Sequence, residues 1–156
     1  MMYEVVIFKK GYKMSKLIDL ILEKAGIEKI KANLWDHRHN ENYVNLVDKY
    51  GNSALVCACR KGDTEAVKLL LEEDADVNLV NNDGNNALIF ACMNGYTEVV
   101  KLLLDANADV NIVNKCGNNA LKIAEQYERT EAIELLNKCN NYVIFNGKKY
   151  KLVEDK

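Results

Sequence analysis

This chain of 156 residues contains no proline, so its turns must be found through glycine and asparagine. It also has no long apolar run, and a membrane-spanning helix of about 20 apolar residues is therefore excluded. The first ten residues, Met1-Met2-Tyr3-Glu4-Val5-Val6-Ile7-Phe8-Lys9-Lys10, hold only a short apolar stretch interrupted early by Glu4. They lack the charged, apolar and small-residue zones of a secretory signal. Export without a cleavable signal stays open. Neither sign of charge dominates: 21 Lys and Arg stand against 23 Asp and Glu, a formal net charge of −2. Binding to a nucleic-acid backbone needs a concentrated cationic face, so no nucleic-acid partner is expected. Histidine occurs twice, and the five cysteines show no paired spacing. An odd number without a disulfide framework predicts a reducing compartment, the cytoplasm.

What the chain does have is a phrase used three times. Val44-Asn45-Leu46-Val47 leads to Gly51-Asn52-Ser53-Ala54-Leu55, Val77-Asn78-Leu79-Val80 to Gly84-Asn85-Asn86-Ala87-Leu88, and Val110-Asn111-Ile112-Val113 to Gly117-Asn118-Asn119-Ala120-Leu121. The glycines recur every 33 residues. A period of that length marks one supersecondary unit stacked on copies of itself. With 49% hydrophobic and 28% charged residues, the chain can build an ordinary packed core.

Each unit opens on a turn whose glycine supplies a positive φ. Ser53, Asn86 and Asn119 follow as N-caps of a first helix. Leu55/Ala58, Leu88/Ala91 and Leu121/Ala124 face inward, and Gly62 and Gly95 mark a second turn. Thr64, Thr97 and Thr130, each before a glutamate, read as caps of a second helix. Val67/Leu70, Val100/Leu103 and Ile133/Leu136 form its buried face. Asp74 and Asn107 are placed to take left-handed geometry at its end. The third unit fades, with Glu128 at the glycine position and Asn137 where Leu71 and Leu104 stand. Cys59 and Cys92 hold one repeat position and read as small core residues.

Outside the repeats, residues 3–8 predict a strand, 15–25 a helix stopped by Gly26, and 28–35 a weaker helix. Ile21, Leu22 and Ala25 fall one period before Ala54, Leu55 and Ala58, so these helices read as an N-terminal cap. Lys29 and His37 then break the register. Tyr142-Val143-Ile144-Phe145-Asn146-Gly147-Lys148-Lys149-Tyr150-Lys151 predicts a hairpin around Asn-Gly. The expected organisation is a cap over 1–43, repeats over 44–140 (about 48–80, 81–113 and 114–140) and a tail over 141–156, in one structural domain.

Gly95-Tyr96-Thr97-Glu98-Val99-Val100-Lys101-Leu102-Leu103-Leu104 followed by Ala108-Asp109-Val110-Asn111 resembles the ankyrin repeat. The resemblance spans residues 44–140 and implies an all-α solenoid of helix-turn-helix units joined by hairpin loops. The family's Thr-Pro-Leu-His stretch is Ser53-Ala54-Leu55-Val56, Asn86-Ala87-Leu88-Ile89 and Asn119-Ala120-Leu121-Lys122 here. Its histidine, which ties neighbouring turns together, is missing. Each lost bond is worth about 0.5–1.5 kcal/mol net, so less rigid turns are expected.

The resemblance also implies a protein-binding module with a concave face built from hairpin tips and first helices. Position by position, that face carries Lys49, Tyr50, Asn52, Arg60 and Lys61; then Asn82, Asp83, Asn85, Met93 and Asn94; then Lys115, Cys116, Asn118, Gln126 and Tyr127. Tyr50, Arg60, Met93 and Tyr127 are its expected anchors. The expectation is a monomer by itself that binds another protein without catalysis, cofactor or metal. A longer-lived architectural role would use the same face. The alternative is a small enzyme or metal-binding protein with His37 and His39 in a site formed by the terminal segments. Cys57-x-Cys59 reads as core packing, Cys116 as an exposed thiol, and Lys148, Lys149 and Lys151 as guards of a strand edge. No nucleophile elbow, phosphate loop or dinucleotide fingerprint is present.

Overall fold

The computed structural model of the chain describes residues 16–40, 42–140, 142–145 and 148–151. The helices among them are α1 (Lys16–Leu22), α2 (Ile27–Asp36), α3 (Ala54–Lys61), α4 (Thr64–Glu72), α5 (Ala87–Asn94), α6 (Thr97–Asp105), α7 (Ala120–Gln126) and α8 (Thr130–Asn140). A single 3-10 turn, Tyr43–Asn45, precedes the first hairpin tip. The first helices α1, α3, α5 and α7 pack side by side in one layer, and α2, α4, α6 and α8 in a second. The fold is an all-α repeat solenoid. Strands β1 (Tyr142–Phe145) and β2 (Lys148–Lys151) pair antiparallel, with Phe145 opposite Lys148. The strand expected over residues 3–8 lies outside the described residues.

The layers meet on a dry seam. Leu88, Leu70, Val67, Val100 and Leu103 are fully buried, as are Ala58, Ala91 and Ala124. The alanines let neighbouring first helices approach, while each buried leucine contributes about 1.5–3 kcal/mol of hydrophobic stabilisation. Cys59 and Cys92 are completely buried in the same layer, as small core residues should be.

Local chemistry places the ends of the helices. The side chains of Ser53, Asn86 and Asn119 accept from the amides of Val56, Ile89 and Lys122 at 3.2, 2.9 and 3.0 Å. Asp74 and Asn107 take φ of 58° and 61°, reversing the chain after α4 and α6. The threonines are not caps: Thr64, Thr97 and Thr130 are already the first helical residues. Asp63 caps α4 instead, accepting from the Ala66 amide at 3.0 Å. A carboxylate one residue earlier outcompetes the hydroxyl for the free N–H groups. Thr97 instead donates to Glu131 at 3.1 Å across to the next unit.

The N-terminal helices form a full unit, in a different register from the one expected. Helix α1 ends at Leu22, and Lys24 makes the left-handed turn at φ 52°. The Ala25 amide then bonds the Leu20 carbonyl at 2.9 Å, just as Asp63 bonds Ala58 at 3.1 Å. Lys24 therefore corresponds to Gly62, 38 residues on rather than 33. In that register Leu17, Ile18 and Ile21 lie over Leu55, Val56 and Cys59, and all six are buried. Extra residues between α2 and the first tip account for the shift. Gly26 does not stop α1; with φ −57° and ψ 150° it is the N-cap position of α2.

Candidate functional site

The hairpin tips are built from short polar side chains. The Asp48 carboxylate accepts from the amides of Tyr50 and Asn52 at 2.8 Å each. Asn81 does the same for Asp83 and Asn85 at 3.0 and 2.9 Å, and Asn114 for Cys116 and Asn118 at 3.0 Å each. A side chain that bonds its own backbone two and four residues on closes the turn from within. The carboxamides then reach across the stack. Asn81 Nδ2 donates to Asn52 Oδ1 at 3.0 Å, and Asn114 Nδ2 to Asn85 Oδ1 at 2.9 Å. Main-chain bonds run beside them, from the Asn82 amide to the Tyr50 carbonyl and from the Lys115 amide to the Asp83 carbonyl, at 2.9 Å each.

This asparagine ladder bonds neighbouring tips to each other without the missing histidine, so hydrogen bonds between the turns are not lost with it. Its closeness depends on glycine. A Cβ on Gly51, at φ 77°, would lie 2.7 Å from Asn82 Oδ1. A second series fastens the loops after the helices, where Asn45 and Asn78 accept from the amides of Asp76 and Asp109 at 2.8 Å each.

Between the first two tips and helices α3 and α5 lies an open groove of about 410 Å³, lined by Tyr50, Asn52, Arg60, Asn81, Asp83, Asn85 and Phe90. Five of the residues expected on the binding face are thus brought together. They are not equivalent. Tyr50 is 59% exposed and Arg60 is exposed, whereas Asn52 is 3% exposed and tied to Asp48 and Asn81 as a rung of the ladder.

The other expected residues surround the groove. Lys49 sets its ammonium 4.8 Å from the Tyr50 ring centre. Lys61 is half-buried and donates to the Leu22 carbonyl at 2.7 Å, joining α3 to the end of α1. Asn82 bonds the Lys49 carbonyl at 3.2 Å, and Asn94 the Phe90 carbonyl at 2.9 Å. The Met93 carbonyl accepts two bonds from Arg129 at 3.3 Å. Lys115, Cys116, Gln126 and Tyr127 are exposed on the third unit, and Asn118 is half-buried there.

Sequence reasoning missed Phe90, which holds the repeat position of Cys57 and Ile123. A phenyl ring at a position sized for cysteine is only partly buried and reaches the groove. It also missed Val47, Val80 and Val113, exposed by 47, 47 and 59% at the stems of the tips. Their 33-residue spacing was visible.

Charge is divided between the two sides of the stack. Tips and first helices, residues 48–61, 81–94 and 114–126, carry five cations and three carboxylates. The second helices with the loops after them, residues 64–80, 97–113 and 130–140, carry ten carboxylates and three lysines.

His37 has a structural place. Its ring stacks on Tyr43 with centres 4.0 Å apart, and Nδ1 donates to the Asn33 carbonyl at 2.8 Å. Among the described residues no three His, Cys, Asp or Glu side chains gather where a metal could be held. Burial pushes the thiols of Cys57 and Cys92 up to about 11 and about 12, and raises Cys59 as well, so these three stay protonated and unreactive near neutrality. No helix among the described residues is long and apolar enough to cross a membrane.

Paired helices in two layers with bonded hairpin tips define a repeat protein of stacked helical hairpins. Residues 12–114, and again 70–146, match the family model described as ankyrin repeats in three copies. The chain belongs to the ankyrin-repeat family, and the match reaches back to include α1 and α2. A search of the curated proteins finds no match. Ankyrin repeats generally act as protein–protein interaction modules.

Proposed function

We propose that this chain binds a partner protein through the face formed by its tips and first helices, and that it does so without chemistry of its own. The groove between the first two tips carries the proposal. There Tyr50, Arg60 and Phe90 stand around tips already fixed by the asparagine ladder. Aromatic and arginine side chains dominate binding energy at interfaces, and a preformed surface loses little entropy on association.

The test is affinity capture from the native host with the intact chain and with a Tyr50→Ala/Arg60→Ala variant. Both are exposed residues, so the variant should keep the helical circular dichroism of the parent. Loss of the captured partner at preserved fold is the expected result. Undiminished capture by the variant, and by one that also carries Met93→Ala and Tyr127→Ala, overturns the assignment of this face.

A further inference from the structure

We infer that the groove reads an acidic segment of its partner, seating a carboxylate on Arg60 between Tyr50 and Phe90. This rests on the partner-binding reading above and goes past it by naming the partner's chemistry. Arg60 lies in the last turn of α3 and lines the groove. Among the described residues the ion pairs are Lys31–Glu28 and Lys68–Glu98, and Arg60 has no bonded side-chain partner. A guanidinium presents a fork that matches a carboxylate with two parallel bonds. Tyr50 and Phe90 line the same groove and offer apolar contact beside that pairing.

A basic residue can also simply serve the C-terminal end of its helix. That service is not needed by the repeat, because α5 ends on Met93-Asn94 and α7 on Glu125-Gln126. Lys61, moreover, already bonds the end of α1.

The tips add further cations, Lys49 on the first and Lys115 on the third, while Lys122 donates to the Gly117 carbonyl at 3.4 Å. Of the carboxylates on this face, Asp48 is turned to three donors of its own tip. Asp83 is left in the groove and Glu125 on α7. Asp83 repels a second carboxylate but accepts N–H. An extended acidic segment satisfies both walls, offering its side chain to Arg60 and a main-chain N–H to Asp83. The carboxylate-rich opposite side turns such a partner away and orients its approach.

The test titrates the full-length chain into fluorescent short peptides of alternating Glu-Tyr, Gln-Tyr and Lys-Tyr, read by anisotropy at low and high salt. Expected are affinities in the order Glu-Tyr, Gln-Tyr, Lys-Tyr, with the preference shrinking as salt rises. Arg60→Glu should weaken the Glu-Tyr peptide at least about tenfold, because a charge that attracts the peptide becomes one that repels it. Lys101→Glu makes the same charge change at an exposed position of α6 and should alter it by no more than about twofold. Equal losses in the two variants overturn the inference, as does the absence of binding by every peptide. Equal affinity for Glu-Tyr and Gln-Tyr peptides, both lost in Tyr50→Ala, overturns the acidic preference and leaves the binding face standing. Binding untouched by Tyr50→Ala and Arg60→Glu alike removes the face as well.

Discussion

In the unit of α3 and α4 a glycine turns the chain between the helices, and in the unit of α1 and α2 a lysine does. Gly62 adopts φ 69° and Lys24 φ 52°. The same contrast recurs at Gly95, φ 74°, and Glu128, φ 55°. What lies above each turn separates the pairs. A Cβ on Gly62 would meet the Tyr96 ring at 2.8 Å, and one on Gly95 would meet Arg129 at 2.9 Å. The position that follows Lys24 in the next unit is Asp63, a short side chain turned to cap its own helix. Both Lys24 and Glu128 are exposed. Left-handed backbone alone is tolerated at about 1–3 kcal/mol by any residue. Glycine is required where a large side chain of the neighbouring unit packs onto the turn.

The largest effect is expected in the core that the two units share. Leu17 and Leu55 occupy one position in the two units and are 0% and 1% exposed. Replacing either by alanine should cost about 2–5 kcal/mol, measured by denaturant unfolding. A cost for Leu17→Ala far below that range would mean that the first unit shares the shape of the stack but not its stability.

Changes at the two turns should have smaller effects of opposite sign. Gly62→Ala should lose about 1–3 kcal/mol from strain and crowding together, while Lys24→Gly should gain up to about 1 kcal/mol from relief of strain alone. The double change Gly62→Ala/Tyr96→Ala should recover part of the Gly62→Ala loss, after allowing for the cost of Tyr96→Ala alone. Additive losses in that cycle would show that crowding by the ring plays no part.

A smaller effect divides the units by pH. The first has Ile21 where the second has Cys59, so buried thiols occur only further along. Cys57 and Cys92 titrate near 11 and 12 when folded, against a usual value of 9.0. Between those values the unfolded chain has lost the proton and the folded chain keeps it, so stability falls as pH rises above about 9. Each thiol should remove about 1 kcal/mol by pH 10. The pH slope of thermal melts across this range should shrink in Cys57→Ala/Cys92→Ala, the buried Cys59 thiol keeping the remainder; an unchanged slope would assign the loss to other groups.

The 33-residue step, the caps at Ser53, Asn86 and Asn119 and the left-handed Asp74 and Asn107 were legible because each depends on residues close in sequence. The register of α1 was hidden, since the added residues before the first tip break the period that would have aligned Leu17 with Leu55. The tip ladder was hidden for another reason. An asparagine reads as solvated until the spacing between stacked tips is known, and that spacing sets Asn81 on Asn52. Tyr50 and Arg60 could be placed by repeat position alone. Phe90 could not, because ring size decides how far it emerges from its layer.

The ladder also has a direction. Asn81 and Asn114 give their hydrogens backward, to Asn52 and Asn85. Its front member is Asp48, which has no hydrogen to give, and its rear acceptor is Asn118, whose side chain has no donor among the described residues. A duplicated copy of residues 81–113 spliced in behind the second tip enters with a donor, leaves with an acceptor and reproduces both junctions. Placed ahead of Asp48, the same copy sets an amide oxygen against a carboxylate. Gene duplication can therefore lengthen this stack behind its first tip, and the single exchange of aspartate for asparagine at position 48 would open the other end to growth.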